Sequence, residues 1–469
     1  MPDLSLHSVP MPRQAAEKRK TNFYEINRGY TAEEAMREAG RCLRCREPRC
    51  RSGCPIENQI PEFLAETAKG DFAAAYAILR GRSCMPAVCG RVCPHENQCE
   101  GHCVRGLRGE PVAIGAVERF VADWAAEHCA PEICAKKTGM RAAVVGAGPA
   151  GLACAEELLR RGHAVTVFEA EEFLGGVTAW GIPSFRLPDE TVQKQTDAIR
   201  ALGGEFRTGE RIGDTRTVDS LLDEGYGAVF FGTGALSLNR MQIPCEDLPG
   251  VYPADRFLRE INLSPLDSEG RRRTPEGCGR RVLVVGGGNV AMDAARCAVR
   301  LPGVESVTIV YRRTENEMPA CREELLHARE EGVVFHTLTN PVRFVEKDGR
   351  VCAARCVRME LGEPDDSGRR RPIEIPGKDI LIEADTVVLA LGFSNDPAIA
   401  QTAGADADRS GAICTDKEGR TSRPGVFAGG DAVTGAATVV LAMRAGLRAA
   451  KAMDDYLRET SVSQSGQSF

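Results

Sequence analysis

Residues 141–170 read RAAVVGAGPAGLACAEELLRRGHAVTVFEA. A buried apolar strand (Ala142–Val145) runs into three spaced glycines, Gly146, Gly148 and Gly151, and these open an apolar helix. Each glycine has a separate task. The first makes the tight turn, the second lets backbone approach a pyrophosphate, and the third lets helix pack on strand. The helix then turns its positive dipole end toward the phosphates. The next strand, Ala164–Phe168, ends on Glu169, where a carboxylate accepts from ribose hydroxyls. A glycine turn in another α/β fold would not need an acidic residue in that register, so the spacing predicts a dinucleotide-binding βαβ unit.

A second unit lies about 140 residues further on, GRRVLVVGGGNVAMDAARCAVRLPGVESVTIVYRR at 279–313. Gly286, Gly288 and Ala291 take the three glycine positions, and Asn289 begins the helix. Aligning VTIVYRR with VTVFEA places Tyr311 where Glu169 stood, followed by Arg312 and Arg313. A carboxylate repels a 2′-phosphate, whereas guanidinium groups bind it bidentately. Unlike strand ends imply unlike ligands, so FAD in the first fold and NADPH in the second is the economical assignment. The bland alternative for Arg312 and Arg313 is a pair of solvated side chains.

A chain of 469 residues suggests about three domains. Hydrophobic content of 43% with 27% charge is ordinary for a globular protein, and the net charge of −6 offers nucleic acid no basic field. No apolar run reaches the roughly 18 residues of a spanning helix. The first thirty residues lack a signal peptide's apolar core, and Glu17 and Glu25 argue against a targeting helix. The expectation is a cytoplasmic protein with no membrane contact.

Residues 1–138 read as a mostly helical domain, with helical patterns at 60–69 and 72–79. The flavin domain is expected at 139–243 and 393–469, and the NADPH domain at 244–392. VFFGTGA (229–235) and VVLALGF (387–393) look like paired crossovers between them. Leu263–Cys278 reads as a surface connection, and the Ser- and Gln-rich tail after Thr460 as disordered.

Nine of the 19 cysteines precede residue 110. Eight of them form two arrays, Cys42-x2-Cys45-x4-Cys50-x3-Cys54-Pro55 and Cys89-x3-Cys93-Pro94-x4-Cys99-x3-Cys103. A large chain without a secretory signal is a poor disulfide scaffold, so the clusters point to metal. Cubane iron–sulfur clusters need thiolates converging from a loop plus one distant ligand, and a Cys before Pro serves the other cluster in two-cluster ferredoxins. That sets Cys54 apart from Cys42, Cys45 and Cys50. Structural zinc competes, since it also takes paired cysteines. A flavin downstream favours redox use, because it accepts hydride and releases electrons singly.

TSRPGVFAGGD (421–431) followed by the apolar AATVVLAMRAG (436–446) resembles the flavoproteins with two dinucleotide-binding domains, such as glutathione reductase and adrenodoxin reductase. That resemblance implies a split FAD domain with the NADPH domain inserted. It also implies that Asp431 binds the flavin ribityl chain and that the following helix, with Thr438 at its start, points at the isoalloxazine pyrimidine. The whole chain resembles the small (beta) subunit family of NADPH-dependent glutamate synthase, which includes the large subunit of NADH-dependent reduced ferredoxin:NADP oxidoreductase. Its N-terminal half is similar to that of dihydropyrimidine dehydrogenase. The stretches that carry this are RCLRCREPRCRSGCP (41–55), CGRVCPHENQCEGHC (89–103), PVAIGAVERFVADW (111–124), GAGPAG (146–151), LGGVTAWGIPSFRLP (174–188, with Gly176 on the FAD side) and AGGDAVTGAATVVLAMRAG (428–446).

The resemblance implies two [4Fe–4S] clusters. Cys42, Cys45, Cys50 and Cys103 would hold one; Cys54, Cys93, Cys99 and the Glu118 carboxylate would hold the other, with Cys89 a neighbour. Spacing alone does not choose Glu118 over Cys89, and Glu118 could instead be a helix glutamate paired with an arginine. Hydride transfer between NADPH and FAD requires no catalytic acid or base from the protein. There is no room for an FMN barrel, and Met1–Pro2 offers no N-terminal Cys nucleophile. The expectation is an electron-input subunit with a glutamate synthase large-subunit-like partner, or another electron-accepting subunit. An electron-bifurcating transhydrogenase subunit uses the same parts. A thiol–disulfide reductase would need a Cys-x-x-Cys pair that is absent after residue 139. A zinc-stabilised, non-catalytic assembly module is the reading from another class.

Overall fold

Two parallel five-stranded sheets, alike in the order of four of their strands, carry the nucleotide units. In a computed structural model that describes residues 3–130, 135–365 and 368–465, the first unit supplies β1 (Arg141–Val145), β2 (Ala164–Phe168), β3 (Glu205–Arg207) and β4 (Ala228–Phe231). A short β5 (Ser237–Leu238) leads out to β6 (Val251–Pro253), β7 (Arg281–Val285), β8 (Ser306–Tyr311) and β9 (Val334–Thr337). An antiparallel trio follows: β10 (Thr339–Lys347), β11 (Arg350–Pro364) and β12 (Arg370–Glu383). Then come β13 (Thr386–Leu389), β14 (Phe393–Ser394) and β15 (Val426–Ala428).

The first sheet runs β15-β4-β1-β2-β3 and the second β6-β13-β7-β8-β9, all parallel. Buried on both faces, their central strands are continuous apolar runs, as parallel sheets require. The first sheet is closed by β15, which follows the entire second sheet in the chain. The traffic between sheets passes through the antiparallel ribbon β5/β14, with Leu238 opposite Phe393.

The N-terminal region is helical. The segments expected at 60–69 and 72–79 form Ile60–Thr67 and Phe72–Arg80, beside Ala32–Gly40, Pro86–Val92 and Ile114–His128. Thr31 and Glu34 close a reciprocal cap on the first, and Asp71 accepts from the Ala74 amide on another. Phe63, Leu64, Leu79, Val117 and Val121 make the core of this region.

Two expectations need correction. The tail after Thr460 is not irregular: the last helix runs Val439–Ser465, carried on from a buried stretch that includes Met443, Met453 and Leu457, and residues 466–469 lie outside the described residues. The connection Leu263–Cys278 is not purely superficial either. Arg272 is buried, donating to the Asn262 carbonyl and pairing with Asp189, and the Gly270 carbonyl accepts from the Phe23 amide. Among the described residues no helix is long and apolar enough to cross a membrane.

Candidate functional site

In the first fold the glycine turn behaves as a cradle. Gly146 sits at φ +98°, and a Cβ on Gly151 would lie 1.8 Å from the Gly146 carbonyl oxygen. Gly176, at φ +55°, approaches so closely that its Cβ would stand 2.9 Å from the Gly148 Cα. Two bare backbones thus face each other at the N-terminus of the helix Pro149–Arg160. Glu169 is fixed at the adjacent strand end. Its carboxylate accepts from the Ala147 amide at 2.7 Å and the Glu171 amide at 3.0 Å. Burial raises its pKa and these amides oppose the rise.

The end of β4 and the returning chain together add three polar atoms with nothing to bond. Asp431 Oδ1, Thr438 Oγ1 and Thr233 Oγ1 are buried and lack hydrogen-bond partners. Burial pushes the Asp431 carboxyl up to about 6. Buried polar groups in native proteins are nearly always satisfied, so such a set calls for an outside ligand. Ribityl hydroxyls and the polar edge of a flavin have the chemistry these atoms need. Sequence reasoning missed Thr233, although it stands inside the quoted VFFGTGA stretch.

In the second fold Gly286 is at φ +142° and Gly288 precedes the helix Asn289–Val299. Asn289 is engaged as a loop clamp: its Oδ1 accepts from the Cys321 amide at 2.9 Å. Ala291 is fully buried. The Tyr311 ring lies against Gly287, and its hydroxyl donates to the Glu317 carbonyl. The two arginines part here. Arg312 is exposed and forms no hydrogen bond or ion pair among the described residues. Arg313 is 4% exposed, donates to the Arg370 carbonyl and pairs with Asp365 at 2.6 Å.

The cysteines gather into two places. Cys42, Cys45, Cys50 and Cys103 line one small cavity together with Leu43, Arg49 and His102. Burial and the neighbouring Cys103 and Cys42 thiolates push the Cys50 thiol up to about 12. Mutual repulsion of this kind is relieved by a shared cation or cluster. Cys54, Cys93, Cys99 and Glu118 are electrostatic neighbours of one another in a second, enclosed place. Glu118, on the helix Ile114–His128, is 7% exposed, and burial alone pushes its carboxyl up to about 8. It has no hydrogen bond or ion pair among the described residues, so the helix-surface pairing with an arginine does not occur. Cys89 also borders this place, hydrogen-bonded to the Cys93 thiol.

The enclosed place joins the flavin fold. Cys54 and Cys93 pack against an apolar core that contains Ala150 and Leu152 of the glycine-turn helix. Arg444, on the helix after Thr438, donates to the Pro55 carbonyl at 3.2 Å. A further lock, invisible in the sequence, ties the N-terminal segment to the second fold. Buried Arg19 pairs with Glu331, which also receives Arg296 and Arg300, and both of these stack on Phe185.

Comparison with known proteins agrees with this architecture. Residues 19–130 match the family described as dihydropyrimidine dehydrogenase domain II, 4Fe–4S cluster, and residues 140–446 match the pyridine nucleotide-disulphide oxidoreductase family. The chain is 38% identical to the glutamate synthase [NADPH] small chain of Halomonas elongata, covering 95% of each protein. It is 41% identical to the NADP(+)-dependent formate dehydrogenase subunit beta of Moorella thermoacetica, over 88% of this chain but only 60% of that one. FprA from Mycobacterium tuberculosis shares the fold, with a TM-score of 0.59 and 22% identity over 71% of this chain and 87% of that one. The chain therefore belongs to the pyridine nucleotide-disulphide oxidoreductases, as a member of the glutamate synthase small-chain family with an N-terminal iron–sulfur region.

Proposed function

We propose that this chain is the NADPH-oxidising input subunit of an enzyme of glutamate synthase type, built to hold FAD, NADPH and two [4Fe–4S] clusters. The observation that carries the reading is the shared core: the enclosed cysteine place and the flavin cradle are walls of one packed unit. When bound, the flavin would supply the conversion of hydride into single electrons. The chain's own residues position and screen. Gly146, Gly148, Gly151 and Gly176 offer bare backbone to a pyrophosphate, Glu169 takes the ribose, and Asp431 and Thr438 take the polar parts of the flavin. Gly286, Gly288, Asn289 and Ala291 form the second cradle, where Arg312 reads the 2′-phosphate and Arg313 braces the strand end through Asp365.

Cys42, Cys45, Cys50 and Cys103 would hold the outer cluster; Cys54, Cys93, Cys99 and Glu118 the inner one. The match of residues 19–130 to a 4Fe–4S family favours clusters over zinc. The domains we assign are 1–138 for the clusters, 139–243 with 393–469 for FAD, and 244–392 for NADPH. The matches to the glutamate synthase [NADPH] small chains of Halomonas elongata and Escherichia coli support that partner.

Anaerobically purified protein should contain about eight iron and matching acid-labile sulfide, with no stoichiometric zinc. NADPH should bleach its flavin and drive dye reduction, while the chain alone forms no glutamate from glutamine and 2-oxoglutarate. Adding a glutamate synthase large subunit should restore that synthesis. Glutamate made by the chain alone at a rate near its dye reduction, or a flavin that NADPH leaves oxidised, would overturn the proposal.

A further inference from the structure

The two cysteine places differ in their surroundings. Residues lining the outer cavity all fall between 42 and 112, so no part of either nucleotide fold covers it. Leu43 lines it and is exposed, and Leu107, two residues past lining Arg105, is exposed by 78%. Arg44, Arg46, Arg49 and Arg108 are exposed too, and none of their guanidiniums makes a hydrogen bond or ion pair among the described residues. Glu47 is the one carboxylate within the 44–49 stretch, and Arg51 beyond it is already paired with Glu62. Elsewhere the arginines of this protein are extensively paired, as at Arg19, Arg186, Arg296 and Arg300. Four unpaired guanidiniums around two bare leucines therefore stand out on a chain of net charge −6.

We propose that this rim is the docking face for an electron-accepting protein whose own contact surface is acidic around an apolar centre. An apolar centre with a charged rim is the usual anatomy of a specific interface. Complementary charge steers encounter and sets orientation, and its effect weakens as salt rises. The local positive field runs against the protein's overall charge, so an acidic protein would be repelled elsewhere and drawn here. The inference rests on the electron-input reading above and adds the chemistry of the partner and the place where it sits.

The test uses the holoprotein with NADPH and two haem proteins as probes, an acidic b-type cytochrome and a basic cytochrome c. Each NADPH oxidised to NADP+ and a proton reduces two ferric haems. The acidic cytochrome should be reduced with a rate that falls about tenfold between about 50 and 500 mM salt. The basic one should be slow and should not gain from low salt. Arg46→Glu with Arg108→Glu should cut acidic-cytochrome reduction about tenfold, leaving iron content and NADPH-driven ferricyanide reduction unchanged. Should the reversal lose iron, Arg46→Gln with Arg108→Gln is read instead, with a loss of about threefold. Salt-independent reduction of the acidic cytochrome, or no effect of either pair, overturns the docking face while the electron-input reading stands. Failure of the wild-type chain to reduce ferricyanide from NADPH sinks that reading instead.

Discussion

The first and second nucleotide folds share the order of four strands, the turn and the helix, and diverge at a few side chains. Both turns use a glycine at positive φ, Gly146 and Gly286. Their third positions differ: Gly151 has no room for a Cβ, while Ala291 carries one in a fully buried site. Their strand ends differ more, Glu169 clamped by two amides against Tyr311 followed by an exposed Arg312. The difference separates two jobs. Holding a phosphate is done by backbone and helix dipole, which both folds supply alike. On the proposed assignment, choosing the rest of the nucleotide is left to one or two side chains at the end of the second strand.

The largest effect that would break this comparison is at the third position. Gly151→Val should destroy the first fold's cradle and cost more than about 4 kcal/mol, since the clash is with backbone. Protein recovered should be colourless in flavin absorbance and melt far below the parent. A Gly151→Val protein that keeps its flavin would show that the close approach to Gly146 is not needed.

Next come the two arginines, which should fail in different ways. Removing a charge-assisted phosphate contact costs about 1.5–3 kcal/mol, or roughly 10- to 150-fold. Arg312→Ala should raise the KM for NADPH by that factor and leave NADH unchanged. Arg313→Ala should instead lower stability by about 2–4 kcal/mol, because it removes the ion pair with Asp365 and opens a buried site, with the partly exposed Asp365 softening the loss. Melting curves and paired NADPH and NADH kinetics separate them. Equal coenzyme effects in both variants would erase the distinction.

The orphaned carboxylate gives a pH test. Burial holds Asp431 at about 6 against an ordinary 3.8, so the flavin-free fold binds its proton more tightly than the unfolded chain does. Its contribution to stability is whole below about pH 4 and is lost as pH rises through about 6. Asp431→Asn should therefore gain up to about 3 kcal/mol over wild type in flavin-free protein at pH 7, and nothing at pH 4. With flavin bound the gain should vanish, because hydroxyl donors then satisfy the carboxylate. A pH-independent difference would mean that burial does not hold the carboxyl up, the Ala437 amide already offsetting it. The smallest effect is expected at Ala291→Gly, which should cost only about 1 kcal/mol and leave NADPH kinetics intact.

Both nucleotide folds were legible because a strand, a glycine turn and a helix are local events, written within about thirty residues and enforced by sterics. The N-terminal helices were legible for the same reason, from apolar period and caps. Arg312 and Arg313 looked equivalent in the sequence, yet Asp365, 52 residues away on the β11/β12 hairpin, folds one of them inward. Thr233 and Asp431 follow paired strands of one sheet, β4 and β15, that are separated in the chain by the whole second fold, so no local pattern marks them as neighbours.

By itself, then, the sequence determined the class of fold, the two phosphate cradles and the grouping of cysteines into two arrays. Backbone sterics and side-chain chemistry act over short chain distances and need no partner. Only the tertiary structure decided which cysteines share a cavity, that Glu118 is buried without a cation, and that one place is sealed against the flavin fold while the other opens to solvent. Burial and electrostatics depend on what arrives from elsewhere in the chain, and that is settled only when the elements pack.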